Sequence, residues 1–291
     1  MSRRKNNVGT LFTPTVLAAS VVFLLILFCT VCAGLLAPYD PEAIDLSSAF
    51  SGPSPEHLFG ADNIGRDVLS RLLYGGRTSI TNALLVVLVS VLGGVPLGLL
   101  CGYYGGWLDS LVMRVWDVIL SIPALLFGFI LVAMLGRGSA ASVLALGIAY
   151  IPMISRLARN LTSVEKTKTY VTAAKSFGFS DARIIFRQIL PNCTSTLFAE
   201  LTVDIGYAII TLASLSYLGL GVQPPTSDWG MMLQEGLVNL RQMPFLVVAP
   251  GIAIVLTIVS LNIVSDGIQA YLDPEQRKLP SFRRYEKKKH K

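Results

Sequence analysis

Three carboxylates are the residues of this chain whose positions first suggest chemistry. Asp117 stands at the edge of an uncharged apolar stretch, and Glu200 and Asp204 lie about one helical turn apart beside another. Because an ionised side chain is costly inside a lipid bilayer, carboxylates in such stretches often line the path of a polar solute. All three also lie close enough to the ends of their stretches to reach the water interface. These three carboxylates are therefore candidates for residues that line a solute pathway or form its gate.

The chain lacks the residue sets that catalysis or metal binding ordinarily requires. Its two histidines, His57 and His290, are far apart in sequence, and the CxxC pair of Cys29 and Cys32 lies within an apolar stretch. A structural zinc site or a catalytic triad needs more partners than these. A phosphate-binding GxxxxGK[ST] loop requires a Gly-Lys dipeptide, which the sequence does not contain. We therefore expect no catalytic residue, no metal site and no cofactor in this chain.

The charged segment 156–193 carries the most regular pattern of the sequence. Its centre predicts a short helix over 169–177, with a threonine available as the N-cap. The residues expected on one face of that helix are Tyr170, Ala173, Ala174 and Phe177. Gly178 follows directly, and a glycine at this position can take the left-handed conformation that closes a helix. The pattern thus predicts a helix that ends at a glycine turn.

A second helix is predicted directly after this turn. Ser180 can cap it, Asp181 suits its positively polarised first turn, and Pro191 is expected to end it. Its apolar side would consist of Ile184, Ile185, Ile189 and Leu190. Residues 169–191, named the elbow below, therefore form a helix–glycine–helix unit. From the pattern alone it is either a docking element for another protein or an ordinary amphipathic surface hairpin.

These residues must be positioned by elements that cross a membrane, because the chain is too apolar to cover itself in water. Of its 291 residues, 53% are hydrophobic and 14% are charged, whereas soluble domains carry roughly 25% charged residues. Six stretches of at least 18 residues contain no Asp, Glu, Lys or Arg: 15–37, 78–108, 118–136, 138–155, 205–222 and 242–265. About 20 helical residues cross a bilayer. We therefore predict an all-α integral membrane protein with six transmembrane helices.

The distribution of basic residues orients these helices. With both termini in the cytoplasm, 19 of the 24 Lys and Arg lie inside, in agreement with the excess of positive charge on cytoplasmic loops. The predicted division is a cytoplasmic tail (1–14), an anchor helix (15–37), an extracytoplasmic segment (38–77), a five-helix core that contains 156–193 (78–265), and a basic cytoplasmic tail (266–291). The first apolar stretch has 23 uncharged residues, which is long for a signal peptide, so we expect it to be a membrane anchor. We expect the basic tail to contact anionic lipid rather than nucleic acid.

A stripe of glycines in the second apolar stretch concerns helix packing. Gly94, Gly98 and Gly102 recur at every fourth residue and so lie on one face of a helix. A face of small residues lets a neighbouring helix approach closely. That neighbour could belong to a second chain or to the same chain, and the spacing does not decide between them.

Residues 170–178 and 183–192, which read YVTAAKSFG and RIIFRQILPN, resemble the cytoplasmic EAA loop of ABC importer permeases. The resemblance extends over nearly the whole chain. Further segments similar to the C-subunit type of the dipeptide, oligopeptide and nickel permeases are 59–67, 72–79, 102–109, 214–225, 229–230, 266–267 and 272–274. Because these segments occur in the family's order, the resemblance implies the type I importer permease fold.

The resemblance also implies a role for the elbow, since the EAA loop of this family docks its short helix into a cleft on an ATPase subunit. The residues of this chain to which the coupling role is carried over are Tyr170, Thr172, Ala173, Ala174, Phe177, Gly178, Asp181, Leu190 and Pro191. Two positions depart from the family pattern. Thr172 replaces a glutamate, so a salt bridge from that position is lost while a hydrogen bond stays available, and Gln188 replaces an isoleucine.

The function that the resemblance implies is that of a permease subunit of an ABC importer in the cell membrane, which moves di- or oligopeptides. The implied partners are a second homologous permease that completes a heterodimeric pathway, two ATPase subunits that bind ATP and Mg²⁺, and an extracytoplasmic binding protein that delivers the solute. Nickel, another metal chelate and glutathione stay open as alternative solutes. The chain itself would be no enzyme.

Two interpretations from other classes compete with this one. A secondary transporter that works without ATP should show inverted repeats and broken helices near the middle of the bilayer, and no clear repeat is present in the sequence. A membrane scaffold that transports nothing should show no coupling to nucleotide.

Overall fold

The computed structural model describes residues 13–272, which fold as a bundle of α-helices. In chain order these are α1 (Pro14–Val31), α2 (Ala33–Leu36), α3 (Val68–Tyr104), α4 (Gly106–Leu120), α5 (Ala124–Leu135), α6 (Ser139–Glu165), α7 (Thr169–Ser176), α8 (Asp181–Ile184), α9 (Leu190–Tyr217), α10 (Trp229–Leu237) and α11 (Phe245–Leu272). Within residues 13–272 the β-structure is limited to one isolated bridge, between Ala61 and Asp67. The predicted all-α class is confirmed, while most of the two predicted tails, 1–14 and 266–291, lies outside the described residues.

Five helical segments of the described chain are long and apolar enough to cross a membrane: α1, α3, α6, the run from Asp181 to Tyr217 that ends in α9, and α11. α4 and α5 together make a sixth candidate, but they meet at an angle of 90°. The single continuous helix predicted over 118–136 is therefore wrong. Pro123 lies in the break, and it disfavours helical backbone at Ile122 and supplies no N–H of its own to a helix.

Helix α3 extends well beyond the uncharged stretch 78–108 that predicted it. It begins at Val68 and runs for 37 residues. Asp67 caps its start, since one carboxylate oxygen of Asp67 accepts hydrogen bonds from the backbone N–H and the hydroxyl of Ser70, each at 2.7 Å. At a rise of about 1.5 Å per residue, a helix of this length spans roughly 55 Å. It therefore projects past the hydrocarbon core of a bilayer, about 30 Å thick, and carries residues of both ends of the molecule.

The glycine stripe of α3 packs against α6 of the same chain. A Cβ atom on Gly94 would lie 2.8 Å from the Cβ atom of Ile154, and one on Gly102 would lie 2.6 Å from the carbonyl oxygen of Arg159. Gly98 faces α6 at a similarly short distance. The two helices approach too closely for any larger side chain along this line. Of the two partners left open by the spacing, the helix of the same chain is confirmed.

The centre of the bundle is built from α3, α6 and α9. Its enclosed side chains include Val86 of α3, Leu146 of α6, and Ile209 and Leu215 of α9, each at most 1% exposed. α11 packs against α9, and α1 packs against α11 at the periphery. α3, α6 and α9 therefore form one packed unit, and it is these helices that carry the elbow.

Residues 38–67 and α10 cover the end of the bundle opposite the elbow. The carboxylate of Asp62 accepts hydrogen bonds from Arg66 Nε at 2.7 Å and Arg71 Nη1 at 2.6 Å. The same two guanidinium groups reach Glu235 of α10 at 3.1 and 2.7 Å. Buried charges persist only when they are paired, so this network fastens the segment after α2 to the short helix α10.

Candidate functional site: a helix elbow and a neighbouring cavity

The first arm of the elbow, α7, ends in the glycine turn that the sequence predicts. Gly178 has a φ of +74°, in the left-handed region. The N–H of Gly178 donates to the carbonyl of Lys175 at 2.9 Å, and the N–H of Phe179 donates to that of Ala174 at 3.2 Å. These two bonds form the Schellman arrangement that closes a helix at a glycine. The predicted threonine cap is wrong, because Lys168 occupies the N-cap position with an extended backbone and no side-chain hydrogen bond.

The second arm of the elbow does not stop at Pro191, as the sequence predicts, and this expectation is corrected. α8 passes into a π-helical segment, Ile185–Ile189, and then directly into α9. Pro191 is consequently the second residue of α9, directly after the π-helical segment. The elbow is therefore continuous with a membrane-crossing helix. Ser180 is the N-cap residue as predicted, although its side chain makes no capping hydrogen bond.

One face of α7 belongs to the core of the chain. Val171 is fully buried and Ala174 is 3% exposed, in a cluster with residues of α3, α6, α8 and α9. The full cluster comprises Leu99, Tyr103, Ala158, Val171, Ala174, Ile184, Ile185, Ile189, Cys193 and Leu197. Leu190 packs partly against it, while Pro191 is exposed. Val171 and Ala174 therefore pack α7 against the ends of three long helices.

The opposite face of α7 is open. Phe177 is 79% exposed, and Thr172 and Ala173 are exposed beside it. The four residues predicted to share one face are thus divided, because Ala174 points into the core and Tyr170 is half-buried. The error arose because Val171, which the face prediction left out, is the deepest residue of the helix. Aromatic side chains such as Phe177 are enriched in the surfaces through which proteins bind one another.

Polar contacts fix the base of the elbow to the end of α6. The hydroxyl of Tyr170 donates to Glu165 Oε1 at 2.6 Å and accepts from Asn192 Nδ2 at 3.3 Å, while Lys168 Nζ lies 2.6 Å from Glu165 Oε2. Partial burial, together with the hydrogen bond to the Glu165 carboxylate, raises the pKa of the Tyr170 hydroxyl. Tyr170 therefore stays neutral and keeps its role as a donor at physiological pH.

Tyr103, at the end of α3, joins both arms of the elbow. Its hydroxyl donates to Asp181 Oδ1 at 2.6 Å, and Lys175 Nζ lies 4.9 Å from the centre of its ring. Lys166 Nζ donates to the carbonyls of Gly102 at 2.7 Å and Tyr103 at 3.3 Å, and so satisfies groups that the end of α3 leaves open. Sequence reasoning noted the 102–109 segment but missed this role, since only its aromatic-glycine composition hinted at a special position.

The three candidate carboxylates lie beside a cavity of about 280 Å³ between α4, α6 and α9. Glu200 and Asp204 line it together, as their spacing on one helix face predicts. Asp117 is at its edge, and its Oδ1 lies 2.5 Å from Nη2 of Arg156, which also lines the cavity. A second pair, Arg159 with Asp109, helps to hold α4 against α6 through two hydrogen bonds of 2.5 and 2.9 Å.

Comparison with known proteins gives one family match and several close relatives. Residues 94–278 match the family described as "Binding-protein-dependent transport system inner membrane component". The glutathione transport system permease protein GsiD of Pectobacterium atrosepticum is 42% identical over 259 residues, which cover 89% of this chain and 86% of the relative. Proteins of the same name from Escherichia coli and Shigella dysenteriae are 41% and 40% identical over 260 residues, with the same coverage. Both the elbow and the cavity lie within the matched range.

Proposed function

The chain belongs to the family of binding-protein-dependent transport system inner membrane components, the permease subunits of ABC importers, and we propose that it carries glutathione or short peptides across the cell membrane. The relatives named above, similar over 89% of this chain, carry names that refer to glutathione transport. Glutathione is itself a peptide-like molecule with free amino and carboxyl groups, so the two candidate solutes share their recognition chemistry. Membership of this family excludes the ATP-independent transporter and the scaffold considered from the sequence.

The proposed assembly follows the ABC importer plan, in which a binding protein and an ATPase act with the permease. We propose that this chain pairs with a second, related permease to complete the pathway, and that two ATPase subunits bind all the ATP and Mg²⁺. The chain itself would then hold no cofactor and perform no hydrolysis. The absence of a Gly-Lys dipeptide supports this division of labour.

The observation that carries the proposed mechanism is the two-sided character of α7. Phe177 and Ala173 form an exposed apolar surface, while Val171 and Ala174 on the other side are packed into the cluster shared by α3, α6 and α9. An ATPase subunit bound to the exposed side could displace α7, and the residues packed on the buried side would carry that displacement to the core. Because packed helices respond to such a displacement as units, the movement of α7 can switch the pathway between two arrangements.

We propose that the end of the molecule opposite the elbow receives the binding protein. Residues 38–67 and α10 supply that surface, and the ion pairs of Asp62, Arg66 and Arg71 with Glu235 give it a fixed shape. A preformed surface lowers the entropy cost of docking. α3 connects this surface with the elbow, since it carries Arg71 at one end and Tyr103 at the other.

The test is the substitution Ala173→Asp in the complete complex. An unpaired carboxylate in a close apolar contact is strongly unfavourable, so recovery of the ATPase with the permease and ATP-driven uptake should both fall by roughly tenfold or more. Uptake is measured with radiolabelled glutathione and dialanine in vesicles that contain the binding protein. The matched control is Val238→Asp, which places the same charge at an exposed apolar residue of the opposite end, 86% exposed.

The control variant should keep its ATPase subunits. If Ala173→Asp also keeps them and transports normally at equal abundance in the membrane, the elbow is an ordinary surface hairpin and the proposed coupling is wrong.

A further inference from the structure

The cavity between α4, α6 and α9 contains a buried carboxylate with an unused oxygen. Asp204 is 1% exposed, and among the residues that the structure describes its Oδ2 has no hydrogen-bond partner. The side chain lines the cavity, whose volume is about 280 Å³. A buried carboxylate without a partner is costly in a membrane protein. Such a group persists when something that is absent from the protein alone supplies the missing partner.

The charges around the cavity favour a cation as that partner. Glu200, one helical turn before Asp204, lines the same space. The basic residue of the lining is Arg156, and its Nη2 lies 2.5 Å from Asp117 at the edge of the cavity. Two carboxylates thus line the cavity together with one guanidinium group, and that group is already paired with a third carboxylate. The neutral amide of Asn160 completes the polar lining and does not change this balance.

The size and position of the cavity favour one end of a larger solute. A volume of about 280 Å³ lies just below the range of roughly 300–1,000 Å³ in which pockets enclose a whole small molecule. Leu120 and Met153 supply an apolar part of its wall, beside the break between α4 and α5. The space therefore suits a charged group attached to a short organic chain.

We propose that this cavity binds the primary ammonium group of the transported solute, with Asp204 and Glu200 accepting hydrogen bonds from it. The proposal rests on the proposed function in taking the solute to be a peptide or glutathione, both of which carry a free amino group. An inorganic cation is the other source of the same charge. The cavity would thereby select, within the membrane domain, solutes that carry a free amino group.

A labelling experiment on the purified complex tests the site without any need for uptake. Met153, which lines the cavity and is 42% exposed, is changed to Cys after the four natural cysteines are replaced by Ser. The rates of modification by a cationic and an anionic methanethiosulfonate reagent are then compared. The cationic reagent should react roughly tenfold faster, because the carboxylates attract it, and Asp204→Asn should reduce that ratio several-fold. Glu200→Gln gives a second measurement if Asp204→Asn assembles poorly. The exposed Glu42→Gln, at the opposite end of the molecule, is the control that should leave the ratio of the two labelling rates unchanged.

Protection of the cysteine identifies the ligand. Millimolar dialanine should slow modification, and N-acetyl-dialanine, which lacks the ammonium group, should not. Equal rates for the two reagents, or equal protection by both peptides, would overturn the proposal. Potassium chloride is tested in the same way, with choline chloride at the same ionic strength as its control. If potassium chloride protects the cysteine as well as dialanine does, the cavity is an inorganic cation site and the proposal is overturned. Normal ATP-driven uptake by the parent complex in the same preparation would show that such a result leaves the proposed function intact.

Discussion

At the scale of single residues, the elbow depends on one backbone conformation and one open surface. Gly178 holds a φ of +74° with no atom within 4 Å of the position that a Cβ would occupy. Space is therefore available for a side chain there, and only the backbone conformation opposes one. Phe177, immediately before it, projects from the surface. The direction in which Phe177 projects is consequently set by the turn that Gly178 permits.

Gly178→Val should impair coupling without disturbing the membrane domain. A β-branched side chain in left-handed backbone costs on the order of 1–2 kcal/mol, which the turn can relieve by changing the direction of α7. We expect normal abundance in the membrane, together with a loss of most ATPase recovery and uptake. Gly52→Val is the matched control, because its Cβ would also meet no atom within 4 Å and its φ is not positive. Equal recovery of the ATPase subunits with the two variants would show that the turn geometry is unimportant.

At the scale of elements, the rules for helix capping and helix ends, which depend only on neighbours in sequence, predicted part of the elbow. The helix beginning at Thr169 and the left-handed Gly178 follow from such rules, and both are confirmed. The rules failed at Pro191, because the π-helical segment before it lets the helix continue into α9. They failed again at 118–136, where a polar and proline-containing break interrupts an uncharged run.

Contacts between distant elements could not be predicted from one sequence. Tyr103 and Asp181 are separated by 78 residues, and Asp117 and Arg156 by 39. Which helices become neighbours depends on packing, as in the close approach of α3 to α6 along the glycine stripe. The glycine spacing predicted a close approach but could not name the partner helix.

The link between α3 and the elbow can be tested with Tyr103→Phe, which removes only the hydroxyl that donates to Asp181. A hydrogen bond to a charged group contributes about 1.5–3 kcal/mol, so the elbow should open more often while the bundle stays folded. Hydrogen exchange of the amides in 169–184 should rise by roughly tenfold or more in the assembled complex. Tyr207→Phe, at a residue 56% exposed, serves as the control. Unchanged exchange in Tyr103→Phe would show that packing alone holds the elbow.

At the scale of the whole molecule, the two ends are built differently and one long helix joins them. The end that contains 38–67 and α10 is held by buried ion pairs, and the other end presents the elbow. The charge bias of the sequence predicts that the elbow lies in the cytoplasm. This orientation is required for an ATPase that uses cytoplasmic ATP.

The orientation predicts where a protease can cut. Added outside intact cells without a wall, the protease should cleave within 38–77 or 223–244 and leave the basic residues 283–291 untouched. An epitope placed after residue 291 reports on the tail, and permeabilised cells show that the tail can be cut when it is reached. Cleavage of the tail in sealed cells would show that the orientation is the reverse of the predicted one. The elbow would then lie outside the cell, where it could not contact the ATPase.

If the open face of α7 contacts an ATPase subunit, a photo-crosslinker at position 177 should capture that subunit. A benzophenone amino acid replaces Phe177, which is 79% exposed, and in a second sample it replaces Val238 at the opposite end. After irradiation of membranes that contain the working complex, the attached protein is identified by mass spectrometry. We expect the ATPase subunit to be attached at position 177 and not at position 238. Irradiation that joins position 177 to lipid or to this chain alone, in a complex that still drives ATP-dependent uptake, would contradict this expectation.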